Sequence, residues 1–291
     1  MLSHLNNAGN YNVISLRCAS VLIIGINHMK ILMCRPDYYE IKYEINPWMD
    51  MHKNANQQTV MTQWETLYQI IKKCGAEVDL VDQIPGWPDM TFAANAGMMY
   101  EGKVVLSHFK FKERQGEVAY FKDWFIKAGF EILNPFYENE PFFEGAGDAL
   151  SADDKIFAGF GFRSEKKFYE QAAYLDKNKL IYCELVDPHF YHIDTCYCPL
   201  TDKLGIWYPG AFSKESQKKM TEQMELIPVI ENEAKRFACN AIVLDKHIIL
   251  ASDCPQITSE LEKRGFIVHP CDMDEFIKAG GACKCLTLRL D

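Results

Sequence analysis

The sequence predicts an α/β fold assembled from five copies of one strand–helix–strand unit, and three observations carry that prediction. A polar lead, an apolar strand run, an amphipathic helical stretch and a second strand run recur five times along the chain. Glycines close several of the helical stretches, at Gly75, Gly129 and Gly265, where a helix end favours a residue free to turn left-handed. No Pro/Gly/Ser-rich linker separates the copies, so units that cannot each bury an apolar face alone must pack against one another.

The first copy runs from MKILMCRP through TVMTQWETLYQIIKKCG to AEVDLVD, and the second from GKVVLSHF through EVAYFKDWFIKAG to FEILNP. The third starts DKIFAGFG, continues EKKFYEQAAYLDK and closes KLIYCELV. The fourth reads DKLGIWYPG, KESQKKMTEQM, ELIPVIE, and the fifth KHIILAS, PQITSELEKRG, FIVHPCD. Apolar spacing places helices, as at Phe121, Trp124 and Phe125 or at Ile257 and Leu261, and β-branched and aromatic runs place strands. A five-bladed α/β propeller satisfies this arithmetic, with helices outside and loops converging on the axis. A doubly wound open sheet is the alternative that the same alternation allows.

Residues 29–291 are expected to form one α/β domain. Residues 1–28 read as an N-terminal extension, disordered or outside the native chain, because Met29 opens directly onto KILMCRP. VLIIGI is the one short apolar run in that extension, too little for a membrane span and without a signal-peptide pattern. The chain has 291 residues, of which 48% are hydrophobic, and a net charge of -9. That charge argues against nucleic acid, which needs clustered Lys and Arg. It suits a cationic substrate, and it equally suits plain solubility. Eleven cysteines, an odd number and many in apolar runs, fit a reducing, cytoplasmic setting better than a disulfide framework.

Between the units lie longer connections that carry Gly, Asn, Asp, His or Cys, which is where a rigid scaffold usually places chemistry. GGACKC presents Cys283 and Cys285 behind Gly280 and Gly281, glycines that let backbone amides approach a substrate; a buried small hydrophobe is the plainer reading of either cysteine. In FYHIDTCY, His192 and Asp194 would share one side of an extended strand, as a proton shuttle beside a fixed anion or as a structural histidine. Glu144 and Asp148 flank Gly145, Ala146 and Gly147 in FFEGAGDAL, where they could bind a cation, orient a histidine or cap a turn. Cys196, Cys198, Cys283 and Cys285 form two C-x-C pairs, shorter than the usual zinc spacing. No phosphate-binding, dinucleotide, metalloprotease or serine-hydrolase motif is present.

Taken together, FEGAGDAL, FYHIDT and GGACKCLTLRL resemble, in order, the carboxylate, histidine and nucleophile loops of the guanidine-modifying (pentein) superfamily of arginine deiminases, dimethylarginine dimethylaminohydrolases and amidinotransferases. MCRPDYYEIKYEINPWM and FAANAGMMY are similar to its dimethylaminohydrolase-like and arginine dihydrolase members. The resemblance covers Met29 to the C-terminus and implies the five-bladed propeller. It implies Cys285 as nucleophile, His192 as acid/base, Glu144 as the carboxylate partnering it and Asp194 as a carboxylate on the guanidinium. EGAGD departs from the commoner E-G-G-D, which leaves the role of Asp148 as a substrate ligand open. Asn95 stands where deiminases carry Asp, and the dihydrolases, which release two ammonia molecules, carry Asn.

The chemistry expected from these residues is attack by Cys285 on the guanidino carbon while Glu144 and Asp194 hold its nitrogens, with His192 first protonating ammonia and then activating water. No metal or organic cofactor is needed, and the expected partner is a small cationic guanidine. Arg114, Arg35 and Arg163 are candidates for a substrate carboxylate, Arg163 being expected as a surface salt bridge. An amine intercepting the thioether would make the enzyme an amidinotransferase, and a non-catalytic binding protein is the remaining reading.

Overall fold

The structure, a computed structural model, describes residues 29–133 and 141–291; the expected N-terminal extension lies outside the described residues. The first unit is strand β1 (Lys30–Cys34), helix α1 (Gln57–Lys73) and strand β2 (Glu77–Val81), parallel to β1. The hairpin β3 (Gly97–Tyr100) and β4 (Lys103–Leu106) is followed by α2 (Glu117–Lys127) and one parallel bridge from Val104 to Ile132. A third sheet holds β5 (Ala149–Ala152), β6 (Lys155–Phe160) and, after α3 (Lys166–Gln171), β7 (Leu180–Glu184). The fourth repeats this with β8 (Tyr197–Thr201), β9 (Leu204–Trp207), α4 (Lys214–Thr221) and β10 (Glu225–Pro228). The fifth has β11 (Ile242–Leu244), β12 (His247–Ala251), α5 (Pro255–Lys263) and β13 (Ile267–Cys271). Last, β14 (Thr287–Arg289) returns antiparallel to β1 and completes the first sheet.

Among the described residues, five separate small sheets therefore replace the one continuous sheet that a doubly wound fold requires. The predicted copies are present, the closing run of the second contributing one bridge, at Ile132, among the described residues; each sheet also holds one further short strand, β3, β5, β8, β11 or β14, of three to five residues, that the strand–helix–strand unit does not include. The helical stretch of the third copy is also shorter than expected, because Ala172 turns extended, with φ −63° and ψ 96°.

The three predicted helix-closing glycines do one job in three places. Gly75, Gly129 and Gly265 have φ of 95°, 88° and 89°, one residue beyond the caps Cys74, Ala128 and Arg264. In each, the following residue donates back into the last turn, as Phe130 N to Phe125 O at 2.9 Å, which satisfies carbonyls the helix itself leaves open.

Neighbouring units share cores. One apolar cluster joins β1, α1 and the fifth sheet through Ile31, Leu67 and Ile249; another joins β1 to the second unit through Leu32, Phe121 and Phe125. Met98 and Val105 pack with Phe157's sheet neighbours Ile156 and Ala158, and the third, fourth and fifth units meet around Phe157, Ile206 and Leu250. Each unit thus buries its apolar face on its neighbours, and the fifth does so on the first. Full burial of a Phe such as Phe121 contributes roughly 2 kcal/mol.

Candidate active site

Cys285, His192, Asp194, Glu144, Asp148 and Asn95 sit in the same place in their units: a tight turn immediately before the short first strand. Asn95 lies in the turn Ala93–Ala96 ahead of β3, Glu144 and Asp148 flank the turn Gly145–Gly147 ahead of β5, and His192 opens the turn Ile193–Thr195 ahead of β8. Cys285 precedes β14 by two positions. The repeat brings these turns together, and the turns before β3 and β5, and before β5 and β8, are in contact. His192 and Asp194 are therefore not on an extended strand. The turn sends His192 to Glu144 and Asp194 to Cys285 instead.

His192 Nε2 lies 2.8 Å from Glu144 Oε2, and both residues are buried. The same oxygen accepts from Arg163 Nη1 at 2.8 Å, and Glu144 Oε1 accepts from the amide of Lys110 at 3.2 Å. Burial alone would raise the Glu144 pKa, but Arg163 and His192 outweigh it and hold the carboxyl well below the usual range. Glu144 is thus held as an anion that already accepts three of the roughly four hydrogen bonds a carboxylate can take.

Arg163 is corrected as well. It is 3% exposed, so it is no surface salt bridge. Its guanidinium lies 4.5 Å from the Tyr191 ring centre and 4.7 Å from that of Phe111, and Nη2 donates to Ile45 O at 2.9 Å. Arg35 lies outside the site, exposed and paired with Asp37 at 3.2 Å. Arg114 is buried but engaged: Nε and Nη2 chelate Glu117 at 3.0 and 2.8 Å, Nη2 also reaches Asp89 O, and Nη1 donates to Asn95 Oδ1 at 2.9 Å. One N–H of the five is left for a substrate carboxylate.

Asn95 is locked by that contact and by Nδ2 donating to Glu144 O at 2.9 Å. A Cβ at Gly147 would come within 2.3 Å of Asn95 Nδ2, so only glycine admits the amide. Asp148 accepts from the amides of Ile193 (3.2 Å) and Ser164 (3.1 Å), and its Oδ2 stands 3.9 Å from His192 Nε2. Its place in EGAGD makes it a brace for the histidine turn.

Cys285 and Cys283 part company. Cys283 neighbours the Cys271 thiol, both cysteines being free, whereas Cys285 lines a small cavity of about 10 Å³ with Asp89, Asn95, Arg114, Arg163 and Tyr191. Cys285 Sγ is 3.5 Å from Asp194 Oδ2. Burial, then the charge of Asp194, pushes its pKa well up; burial likewise lifts Asp194 to about 6 against the pull of His192 and Lys284. Asp194 Oδ1 and Asp89 Oδ1 are buried with no partner at hydrogen-bond geometry among the described residues, the buried Tyr43 hydroxyl being the donor that faces Asp89, an arrangement costly to a carboxylate unless a donor completes it.

Two residues escaped the sequence reading. Asp89 lies in GWPDM, a segment taken only as a long connection. Asn240 precedes β11, in the fifth unit's counterpart of the other turns. It donates to Cys285 Sγ at 3.1 Å and Asp194 O at 3.0 Å, and it accepts from the amides of Ala282 and Cys285 at 3.2 and 3.1 Å. The repeat itself was the signal for it: five turns of one kind, of which only four were searched. The four thiols of the two C-x-C pairs do not gather. Cys196 and Cys198 donate to separate backbone carbonyls, of Ile193 and Ala241.

Residues 38–290 match the family described as N,N dimethylarginine dimethylhydrolase, eukaryotic. The bifunctional arginine dihydrolase/ornithine cyclodeaminase ArgZ of Synechocystis is 44% identical over 269 residues, 90% of this chain and 38% of the relative; the chain thus spans well under half the length of that protein. The N(G),N(G)-dimethylarginine dimethylaminohydrolase of Mycobacterium tuberculosis is 33% identical over 89% of this chain and 84% of its own. The solved N-terminal domain of ArgZ, a cyanobacterial arginine dihydrolase bound to product, superimposes with a TM-score of 0.86 at 42% identity, covering 91% of this chain and 98% of that domain.

Proposed function

The chain belongs to the eukaryotic N,N-dimethylarginine dimethylhydrolase family of guanidine-modifying α/β enzymes, and from that membership we propose that it is a cysteine hydrolase of guanidinium C–N bonds, acting on arginine and releasing two ammonia molecules. The observation that carries the proposal is the pair of buried, unpartnered carboxylate oxygens on Asp89 and Asp194 beside a cavity-lining thiol. A guanidinium brings N–H donors to both and a carbon to Cys285. Its positive charge also offsets the burial that keeps the thiol protonated.

Cys285 Sγ attacks the guanidino carbon as its thiol proton passes to His192. His192, fixed through Nε2 by Glu144, has Nδ1 left for proton transfer and protonates the first leaving ammonia. An amidino-thioether remains, which water activated by His192 cleaves to a ureido product and free thiol. In a second round the thiol attacks the ureido carbonyl carbon, the second ammonia leaves, and water releases carbamate, which breaks down to amine and carbon dioxide. Two waters are consumed per arginine, giving ornithine, carbon dioxide and two ammonia. Asn95 supports this second round, because a neutral amide admits a neutral ureido group where an aspartate would favour only the cation. The five sheets, with neighbours sharing cores and the fifth packed on the first, support a five-bladed propeller formed as one domain by residues 29–291.

The test is to incubate the purified chain with arginine and count products. Two ammonia and one ornithine per arginine are expected, and Asn95→Asp should shift the count towards one ammonia with citrulline accumulating. An unchanged count in Asn95→Asp removes its role. Citrulline or methylamine as the wild-type end product makes the enzyme a deiminase or dimethylaminohydrolase, and transfer to an added amine makes it an amidinotransferase.

A pH expectation follows from Asp194, which binds the cation only when ionised. With its pKa raised to about 6, kcat/KM should fall as pH drops through that value, and the residual activity of Asp194→Asn should lack this limb. A limb that persists in Asp194→Asn belongs to another group.

A further inference from the structure

Where the end of α1 meets the fifth sheet, three metal-ligating side chains converge that the proposed reaction does not use. Cys74 is the residue that caps α1. His247 opens β12 and His269 lies within β13, which run parallel in the register Ile249 to His269 and His247 to Ile267. The two histidines are thus diagonal neighbours on one face of the sheet, and α1 packs on that sheet through β13. His247 Nδ1 lies 2.9 Å from His269 Nε2, and Cys74 Sγ lies 3.6 Å from the same Nε2. All three donor atoms fall within 4.8 Å of one another, and the side chains are half-buried.

We propose that Cys74, His247 and His269 form a binding site for a single Zn²⁺ ion, separate from the reaction site, that ties the end of the first helix to the fifth sheet. The donor set is the one a borderline-soft ion selects: two imidazoles and one thiolate, with a fourth position open to water. Tetrahedral bonds of about 2.0–2.1 Å to nitrogen and about 2.3 Å to sulfur place those donors roughly 3.3 Å (N to N) and 3.6 Å (S to N) apart. The observed 3.6 Å is already that spacing, and 2.9 Å needs the imidazoles to part by a few tenths of an ångström. Neither imidazole has a carboxylate partner among the described residues, so the pair has only one shared proton to hold it together. On binding, the Cys74 thiol gives its proton to solvent and the sulfur–metal bond takes its place.

The test uses the full chain carrying Cys285→Ser, so that the reaction-site thiol cannot bind the ion. Zinc titrated against a chromophoric chelator should bind with one equivalent, and Co²⁺ should give the charge-transfer absorption of a thiolate ligand. Zinc should also raise the melting temperature of this protein. Adding Cys74→Ser or His269→Gln should abolish all three effects, and Cys74→Ser alone should leave arginine turnover intact. His247→Gln, at the start of its strand, gives the same reading should either of the others fail to fold. Absence of stoichiometric binding in the parent overturns the proposal, and so does binding that survives loss of Cys74 or of a histidine.

Discussion

Replacing Cys285 by serine is expected to lower kcat on arginine at least about a thousand-fold while arginine still binds. The two properties separate because different atoms supply them. The carboxylates of Asp89 and Asp194, with their unpartnered oxygens, remain to hold the cation, but a hydroxyl is a far weaker nucleophile than a thiolate. The scaffold should not suffer, since Asn240 can donate to a serine oxygen as it does to Cys285 Sγ at 3.1 Å. Cys283→Ser is the matched control: it removes a neighbouring thiol that faces Cys271, so turnover should stay near the wild-type value. Calorimetric arginine binding and single-turnover kinetics on both variants read the outcome. Turnover of Cys285→Ser within about tenfold of wild type would remove Cys285 from the chemistry.

The second large effect is structural and comes from Arg163→Met. Glu144 and Arg163 are both buried and joined at 2.8 Å, and removing one partner of such a pair costs about 3–5 kcal/mol because the other charge is left unpaired. The Tyr191 and Phe111 rings that stack on the guanidinium lose their cation as well. The sign of the pH dependence follows from Glu144. Its folded pKa lies below the ordinary value of 4.5, so the stability it contributes is fully present above about pH 4.5 and drains away as pH falls towards the folded value. Arg163→Met should therefore unfold at lower denaturant at neutral pH and should show a weaker loss of stability on acidification than wild type. Denaturant melts at neutral and acidic pH decide it. Equal acid sensitivity in the two proteins would mean that Arg163 does not set the Glu144 ionisation.

What was legible in the sequence, and what was not, follows from the repeat. Helices with long apolar spacing, such as α1, and the glycines past three helix ends could be read because their signals are local. The short strands β3, β5, β8 and β11 fall outside the strand–helix–strand unit in which the repeat is legible, so the turns ahead of them do not show as equivalent. That hid the common address of the site, the turn just before each of these strands, and with it Asn240. Arg163 was misplaced for a different reason: its burial depends on Glu144, Tyr191 and Phe111, which are distant or unremarkable in sequence and meet only when the units pack. Asp89 carried no local mark beyond a Pro beside it. Cys285, His192 and Glu144 are legible through the resemblance of their three loops, in order, to those of the guanidine-modifying superfamily, since the residues alone leave a buried thiol, a structural histidine and a turn cap open.

The central claim is that Cys285 carries the guanidino carbon as a covalent amidino-thioether, and the most direct measurement is to trap it. The chain is mixed with arginine, quenched in acid within a turnover and peptide-mapped by mass spectrometry. The account predicts an adduct equal to arginine less one ammonia, on the peptide containing Cys285 and at that residue. Turnover without any adduct under these conditions, or an adduct on Cys283 instead, would contradict it.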